Sequence, residues 1–196
     1  MAIPPPLAKY KAKRNFAVTP EPAEGGESAA AGLQFVIQKH WASRLHYDFR
    51  LELDGVMLSW AVPKGPSYET ADKRMAVHVE DHPISYNAFE ATIPPKQYGA
   101  GKVMIWDKGI WVPVGDPRKG LEKGDLKFDL YGHKLRGRMG SREDQESGGK
   151  AGRVAANQGA RLICAPGERL QRGRRDAGQR CRPAAANWRD RAHPVD

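Results

Sequence analysis

The sequence predicts an all-β barrel or sandwich flanked by disordered tails. Three observations lead there. Between residues 33 and 139 the chain breaks into short stretches in which apolar and polar residues alternate, the period of a strand. Gly- and Pro-rich turns separate them, and Asp54-Gly55 is the clearest hairpin signal. No segment there carries a long helical repeat.

Residues 1–32 read as a disordered, basic and Pro-rich tail. Pro4-Pro5-Pro6 precedes Lys9, Lys11, Lys13 and Arg14, and a Gly/Ala/Ser/Glu stretch follows Pro22. The basic run is either a solvated tail or a contact for phosphates. Residues 33–38 form a short apolar strand. From Arg44 the alternation is strict: Leu45, Tyr47, Phe49, Leu51 and Leu53 share one face. Arg44, His46, Asp48, Arg50 and Glu52 share the other, with Arg44 and Glu52 read as surface. Residues 56–62 return across the hairpin and stop at Pro63-Lys64-Gly65-Pro66, where both prolines lack an N–H. Residues 74–80 are a further strand, running into Asp81-His82-Pro83.

Residues 89–98 read as a loop. Residues 102–106 and 110–112 read as two strands joined by a turn at Asp107-Lys108-Gly109. A short helical turn at 121–124 precedes a strand at 126–131, and Gly132-His133 turns into 134–139. The composition then changes. Residues 141–196 hold 11 Arg and 1 Lys, whereas residues 1–140 hold 7 Arg and 13 Lys. The abrupt reversal favours a lost reading frame over a basic nucleic-acid-binding tail. The domain reading is therefore a tail over 1–32, a folded domain over 33–139, and an Arg/Ala/Gly-rich, disordered or frame-shifted tail over 140–196, with no strand after Met139.

A chain of 196 residues suits one domain plus tails. The formal charge of +9 suggests a polyanionic partner. No apolar run is long enough to span a membrane, and no signal sequence is apparent. Cys164 and Cys181 lie far from His40–Asp48, which excludes a Cys-based zinc site there. These features favour a cytoplasmic protein.

The chemistry concentrates between His40 and Glu52. His46 and Asp48 are two residues apart on a strand and point the same way, so their tips can converge on one ion. His40 precedes a short turn and can fold back as a third ligand. Two imidazoles and a carboxylate leave coordination positions open, the catalytic pattern, and suit Mn²⁺, Zn²⁺ or Fe²⁺. Arg50 shares the face of His46 and Asp48. Arg50, Lys64 and Arg74 offer the cations that a phosphoryl group needs, and His82 could donate a proton or contact a phosphate oxygen. Ion pairing of Lys64 and Arg74 with Glu80 or Asp81 is the plain alternative. Two other readings use the same residues. One is a mononuclear iron oxygenase built on His46 and Asp48 and completed by His78 or His82. The other is a non-catalytic nucleic-acid-binding module with a structural metal, in which Trp41, Tyr86 and Tyr98 stack on bases.

Six motifs in order carry a family resemblance: Gln38-Lys39-His40, residues 45–52 (LHYDFRLE), residues 60–65 (WAVPKG), Lys73-Arg74, residues 79–83 (VEDHP) and residues 98–101 (YGAG). Together they resemble the 3′-phosphoesterase domain of bacterial DNA ligase D, over roughly residues 33–139. The resemblance implies a compact, closed or nearly closed β-barrel with short helical turns. It implies a manganese-dependent enzyme, with cobalt or zinc able to substitute, acting on DNA or DNA/RNA 3′ ends at primer-template junctions. Such enzymes remove a 3′-terminal ribonucleoside and then the 3′-phosphate, in non-homologous end joining. By position, His40, His46 and Asp48 match the metal ligands. Arg50 and His82 match the phosphate contacts, and Lys64, Arg74, Glu80, Asp81 and Tyr86 match supporting residues. A ligase, a polymerase and an end-binding repair protein are the candidate partners.

Overall fold

The computed structural model describes residues 7–69, 72–143 and 159–164. Nine strands form one antiparallel sheet: β1 (Gln34–Trp41), β2 (Leu45–Leu53), β3 (Val56–Val62), β4 (Lys73–His78), β5 (Ala91–Ile93), β6 (Gly101–Pro113), β7 (Asp125–Gly132), β8 (Arg136–Glu143) and β9 (Gly159–Cys164). Two short helices, α1 (Ala8–Ala12) and α2 (Pro117–Glu122), and a 3₁₀ turn (Ile84–Ala88) complete the described chain. The strands run β1-β2-β3-β4-β9-β8-β7-β6-β5, and β1 also meets β6.

The closed or nearly closed barrel is corrected. The sheet is an open, curled half-barrel that turns through 252° and leaves its edges 8 Å apart, wider than the roughly 4.8 Å between paired strands. The β3–β4 joint is the shortest pairing among the described strands. It holds only two residue pairs, Trp60↔His78 and Ala61↔Val77. Lys73, Arg74 and Met75 run past the end of β3, where Pro63 and Pro66 offer no N–H to a partner.

Three local expectations also change. The Asp107-Lys108-Gly109 segment lies inside β6 and does not turn. Both carboxylate oxygens of Asp107 serve the turn after β7: Oδ1 accepts from His133 N and Lys134 N, each at 3.0 Å, and Oδ2 from Leu135 N at 2.8 Å. The strand bulges there, and its register with β1 shifts between Ile37 and Gln38. The chain beyond Met139 does not leave the sheet at once: β8 continues to Glu143, and β9 bridges β8 and β4. The rest of the 140–196 tail lies outside the described residues.

The third change is at the N-terminus, where the expected disordered tail is an ordered arm from residue 7 onward. Tyr10 is fully buried, its ring 4.9 Å from that of His82 and 6.2 Å from that of Tyr86. Gly26 has φ +91°, and a Cβ there would lie 2.2 Å from Ser85 N, so only glycine lets the arm approach this closely. The arm lacks a periodic apolar face, and a few large side chains seat it instead.

The sheet thus buries both faces. The inner face carries the main core, with Phe35, Ile37, Phe49, Leu51, Trp111 and Phe128. The outer face of β1 and β2 is roofed by a second cluster of Tyr10, Tyr86, Phe89, Ile93 and Val103. Under that roof lie Gln38, His40, Asp48, Arg50 and Glu52, all buried. Glu52, expected at the surface, accepts Gln34 N at 2.9 Å.

Candidate active site

The β1–β2 register sets His40 opposite His46 and Gln38 opposite Asp48. Residues paired in register share a face, so both imidazoles and the carboxylate project outward together. Their ligating atoms all lie within 4.8 Å of one another. His40 Nε2 is 2.9 Å from Gly99 O, and His46 Nδ1 is 2.9 Å from Arg44 O. A carbonyl can only accept, so each of those nitrogens carries the proton. His40 Nδ1 and His46 Nε2 are left with lone pairs facing Asp48, at 3.2 Å from Oδ2 and 3.7 Å from Oδ1. Two lone pairs and a carboxylate brought together repel unless a cation lies among them. The donor set and its carbonyl partners therefore fit a divalent metal ion.

Burial works to raise the pKa of Asp48. The Arg50 guanidinium outweighs it and holds the carboxyl below its usual range. Arg50 is itself fixed on four sides. Nε donates to Gln38 Oε1 at 2.9 Å, Nη1 to Ser59 Oγ at 2.8 Å, and Nη2 pairs with Asp48 Oδ2 at 3.4 Å. The Tyr86 ring lies 4.5 Å beneath it.

His82 approaches from the turn after β4. Its Nδ1 is 2.8 Å from Glu80 O, so Nδ1 carries the proton and Nε2 is an acceptor. Burial, with the charges of Arg50 and Arg14, pushes the pKa of His82 well down. The imidazole is neutral, and Arg14 Nη2 donates to its Nε2 at 3.1 Å.

Sequence reasoning held Arg14 only as one of a basic run that is a solvated tail or a phosphate contact, and it missed Glu21. Arg14 pairs with Glu21 at 2.7 Å and with Glu80 at 3.0 Å, and its side chain is only 4% exposed. Glu21 also accepts from Tyr86 OH at 2.9 Å and from Thr19 Oγ1 at 2.8 Å. Lys13 holds the second oxygen of Glu80 at 2.9 Å. A cavity of about 280 Å³ collects Arg14, His40, His46, Arg50, Glu80 and His82. Asp48 and Tyr86 line it too.

Lys64, Arg74 and Asp81 are not among the residues that line this cavity. Lys64 is exposed in the Pro-rich turn. Arg74 pairs with Asp72 at 2.6 Å. Asp81 has one buried oxygen without a partner, and burial raises its pKa. Neither His78 nor His82 joins the ligand cluster. His78 packs against Trp60, 5.3 Å between ring centres.

An open metal site beside a buried guanidinium pair defines a class of protein, a metal-dependent hydrolase of phosphate esters. The comparisons make it specific. Residues 38–140 match the profile of the DNA ligase D 3′-phosphoesterase domain, and the chain belongs to that family. It is 58% identical over 135 residues to the multifunctional non-homologous end joining protein LigD of Pseudomonas aeruginosa, covering 68% of this chain and 16% of that one. It is 44% identical over 136 residues to the LigD of Mycobacterium tuberculosis strain H37Rv, covering 67% and 17%. It is 45% identical over 140 residues to that of Mycolicibacterium smegmatis, covering 67% and 18%. The chain therefore spans about a sixth of the length of these relatives. Family and cluster together make it a metal-dependent 3′-phosphoesterase, a hydrolase that engages DNA ends. Among the described residues no helix is long and apolar enough to cross a membrane.

Proposed function

We propose that the domain heals 3′ ends for ligation with manganese as its metal. It removes a 3′-terminal ribonucleoside from a DNA primer-template by phosphodiester cleavage, then removes the 3′-phosphate to leave a hydroxyl. The setting is non-homologous end joining, which the names of the LigD relatives carry; we place it in the cytoplasm, with a ligase, a polymerase and an end-binding protein as partners.

One observation carries this reading: a single cavity joins the His40/His46/Asp48 cluster to two buried arginines and a neutral imidazole. His40, His46 and Asp48 would hold the metal, which would polarise the scissile phosphate and lower the pKa of water. Arg50 and Arg14 present N–H groups to the non-bridging oxygens and neutralise charge as the phosphate expands. Both are pre-aimed, Arg50 by Gln38, Ser59 and Tyr86, Arg14 by Glu21 and Glu80. His82 Nε2 is an acceptor, so His82 acts by steadying the Arg14 Nη2 donor beside the phosphate. Glu80 and Tyr86 position these groups. Lys64, Arg74 and Asp81 are assigned no contact with the reacting phosphate.

The test is a 5′-labelled primer-template ending in one ribonucleotide, incubated with and without Mn²⁺. The expected products appear in order: a 3′-phosphate end, then a 3′-hydroxyl end, both metal-dependent. Duplex binding without turnover in any divalent metal would overturn the reading in favour of a binding module.

A further inference from the structure

The inner face of the sheet carries a second surface, directly behind two of the metal ligands. Trp41 pairs in register with Leu45 on one side and Lys102 on the other. Lys39 likewise pairs with Tyr47 and Met104. These six residues share a face, opposite to that of His40 and His46. They lie at the end of the half-barrel, where Tyr47 and Trp106 pack against the edge of the core. Trp41 is 40% exposed, Leu45 46% and Met104 40%. The row continues through Trp106, whose ring lies 5.7 Å from that of Tyr47 and 6.5 Å from that of Tyr68. Tyr68 is 65% exposed. Scattered exposed apolar residues are ordinary, whereas Tyr47, Trp106 and Tyr68 in ring contact, with Trp41 and its lysine on the same face, mark a binding surface.

Charge identifies the occupant. Lys39 Nζ lies 4.7 Å from the centre of the Trp41 ring, and Lys134 Nζ 4.7 Å from that of Trp106. Among the described residues no carboxylate pairs with Lys39, Lys102 or Lys134. Lysine is depleted from the centres of protein–protein interfaces. Aromatic rings interleaved with unpaired cations are instead how proteins hold unpaired nucleotides: bases stack on rings, and ammonium groups follow the phosphates.

Position links this face to the cavity. Ala42, in the β1–β2 turn, lines the cavity, so the cavity opens where the sheet ends. Trp41 and Arg44, which is exposed, flank that rim. A strand crossing the turn passes from one face to the other within a few residues.

We infer that the Trp41–Trp106–Tyr68 row binds single-stranded nucleic acid, the unpaired strand beside the 3′ end seated in the cavity. The assignment of the strand rests on the proposed function, and the binding itself does not. An arriving phosphate draws Lys39 and Lys134 off their rings and leaves the ring faces to bases.

The test measures fluorescence anisotropy of a labelled oligothymidylate with the full chain, without metal so that nothing is cleaved. Trp41→Ala and Tyr68→Ala each raise the Kd about tenfold, as expected for one lost stacking partner. Trp41→Phe, which keeps a ring, restores most of the affinity. Lys39→Gln lowers the slope of log K against log salt by about 0.7, the value for one phosphate contact on a single strand. Tyr68 lies in an exposed loop, so its variant separates lost stacking from lost folding. Unchanged affinity in both alanine variants overturns the inference. Hydrolysis of a 3′-phosphate is read separately. Its absence in the wild type, with weakened oligonucleotide binding in the variants, would remove the phosphoesterase reading and support this surface.

Discussion

Arg14 Nη2 lies 3.1 Å from His82 Nε2, which joins residues 68 positions apart in the chain. The contact makes the N-terminal arm part of the site. Arg14→Ala is expected to lower kcat/KM on a 3′-phosphate substrate by about 100-fold, the cost of one aimed donor at a developing charge. Metal affinity, measured by calorimetry, stays within a few-fold of wild type. Undiminished turnover would remove Arg14 from the site.

Gly26→Ala tests the same arm from a distance. The new methyl group would collide with Ser85 N, next to Tyr86 of the cavity lining. The expected outcome is faster protease cleavage within residues 7–32, together with lower turnover. The sheet's thermal transition moves less than in a core variant.

Metal binding is expected to stabilise the fold, because it relieves the repulsion among His40, His46 and Asp48. At a hundredfold excess of Mn²⁺ over its Kd the gain is about 2.7 kcal/mol, visible as a higher Tm. His46→Ala and Asp48→Ala should weaken Mn²⁺ binding by more than about 100-fold, beyond the loss of an outer partner. They should also cancel the rise in Tm. Retained affinity in either variant would sink the ligand assignment.

Acid should destabilise the protein in two stages. The pKa of His82 in the folded chain lies below its unfolded value. The unfolded chain therefore takes up a proton near pH 6.5 that the folded chain refuses. Stability is full above that pH and falls as pH drops towards the folded pKa, by up to about 1.4 kcal/mol per pH unit. For Glu80, burial opposes ionisation, but hydrogen bonds from Lys13 and Arg14 prevail and depress its pKa. Its contribution is present above about pH 4.3 and is lost below it. Denaturant titrations across this range should show both limbs, and His82→Asn should flatten the upper one. An unchanged upper limb in that variant would exclude His82 as its source.

Asp107→Ala removes three backbone hydrogen bonds from the turn after β7 and leaves those N–H groups without their acceptor. The expected loss is about 3 kcal/mol or more, or roughly 10 °C in Tm. A smaller shift would mean that water replaces the carboxylate.

The metal cluster was legible because strand periodicity is local. His46 and Asp48 are two residues apart, and one turn brings His40 opposite. The Asp54-Gly55 hairpin was legible for the same reason, since both residues take positive φ, 52° and 80°. Arg14 and Glu21 were not, because they lie on no periodic element and act through contacts dozens of residues away. The local hints were the basic run that ends at Arg14 and Thr19-Pro20-Glu21, in which a hydroxyl steadies the carboxylate two residues on. Closure was misjudged because it depends on how strands far apart in the sequence curl towards one another, and no single strand records that. Asp107 misled for a related reason: an Asp-x-Gly triplet signals a turn, and here the carboxylate serves a different turn 26 residues later.

The seating of the arm also bears on how this domain can be cut and moved. Strand periodicity invites a boundary at Leu33, just before β1. A fragment begun there would keep every metal ligand and the main core, and by most assays of folding it would pass. It would lack Arg14, Glu21 and the Tyr10 roof over His82. Such a fragment would bind its metal yet handle phosphate poorly. The smallest transplantable unit begins at or before Leu7.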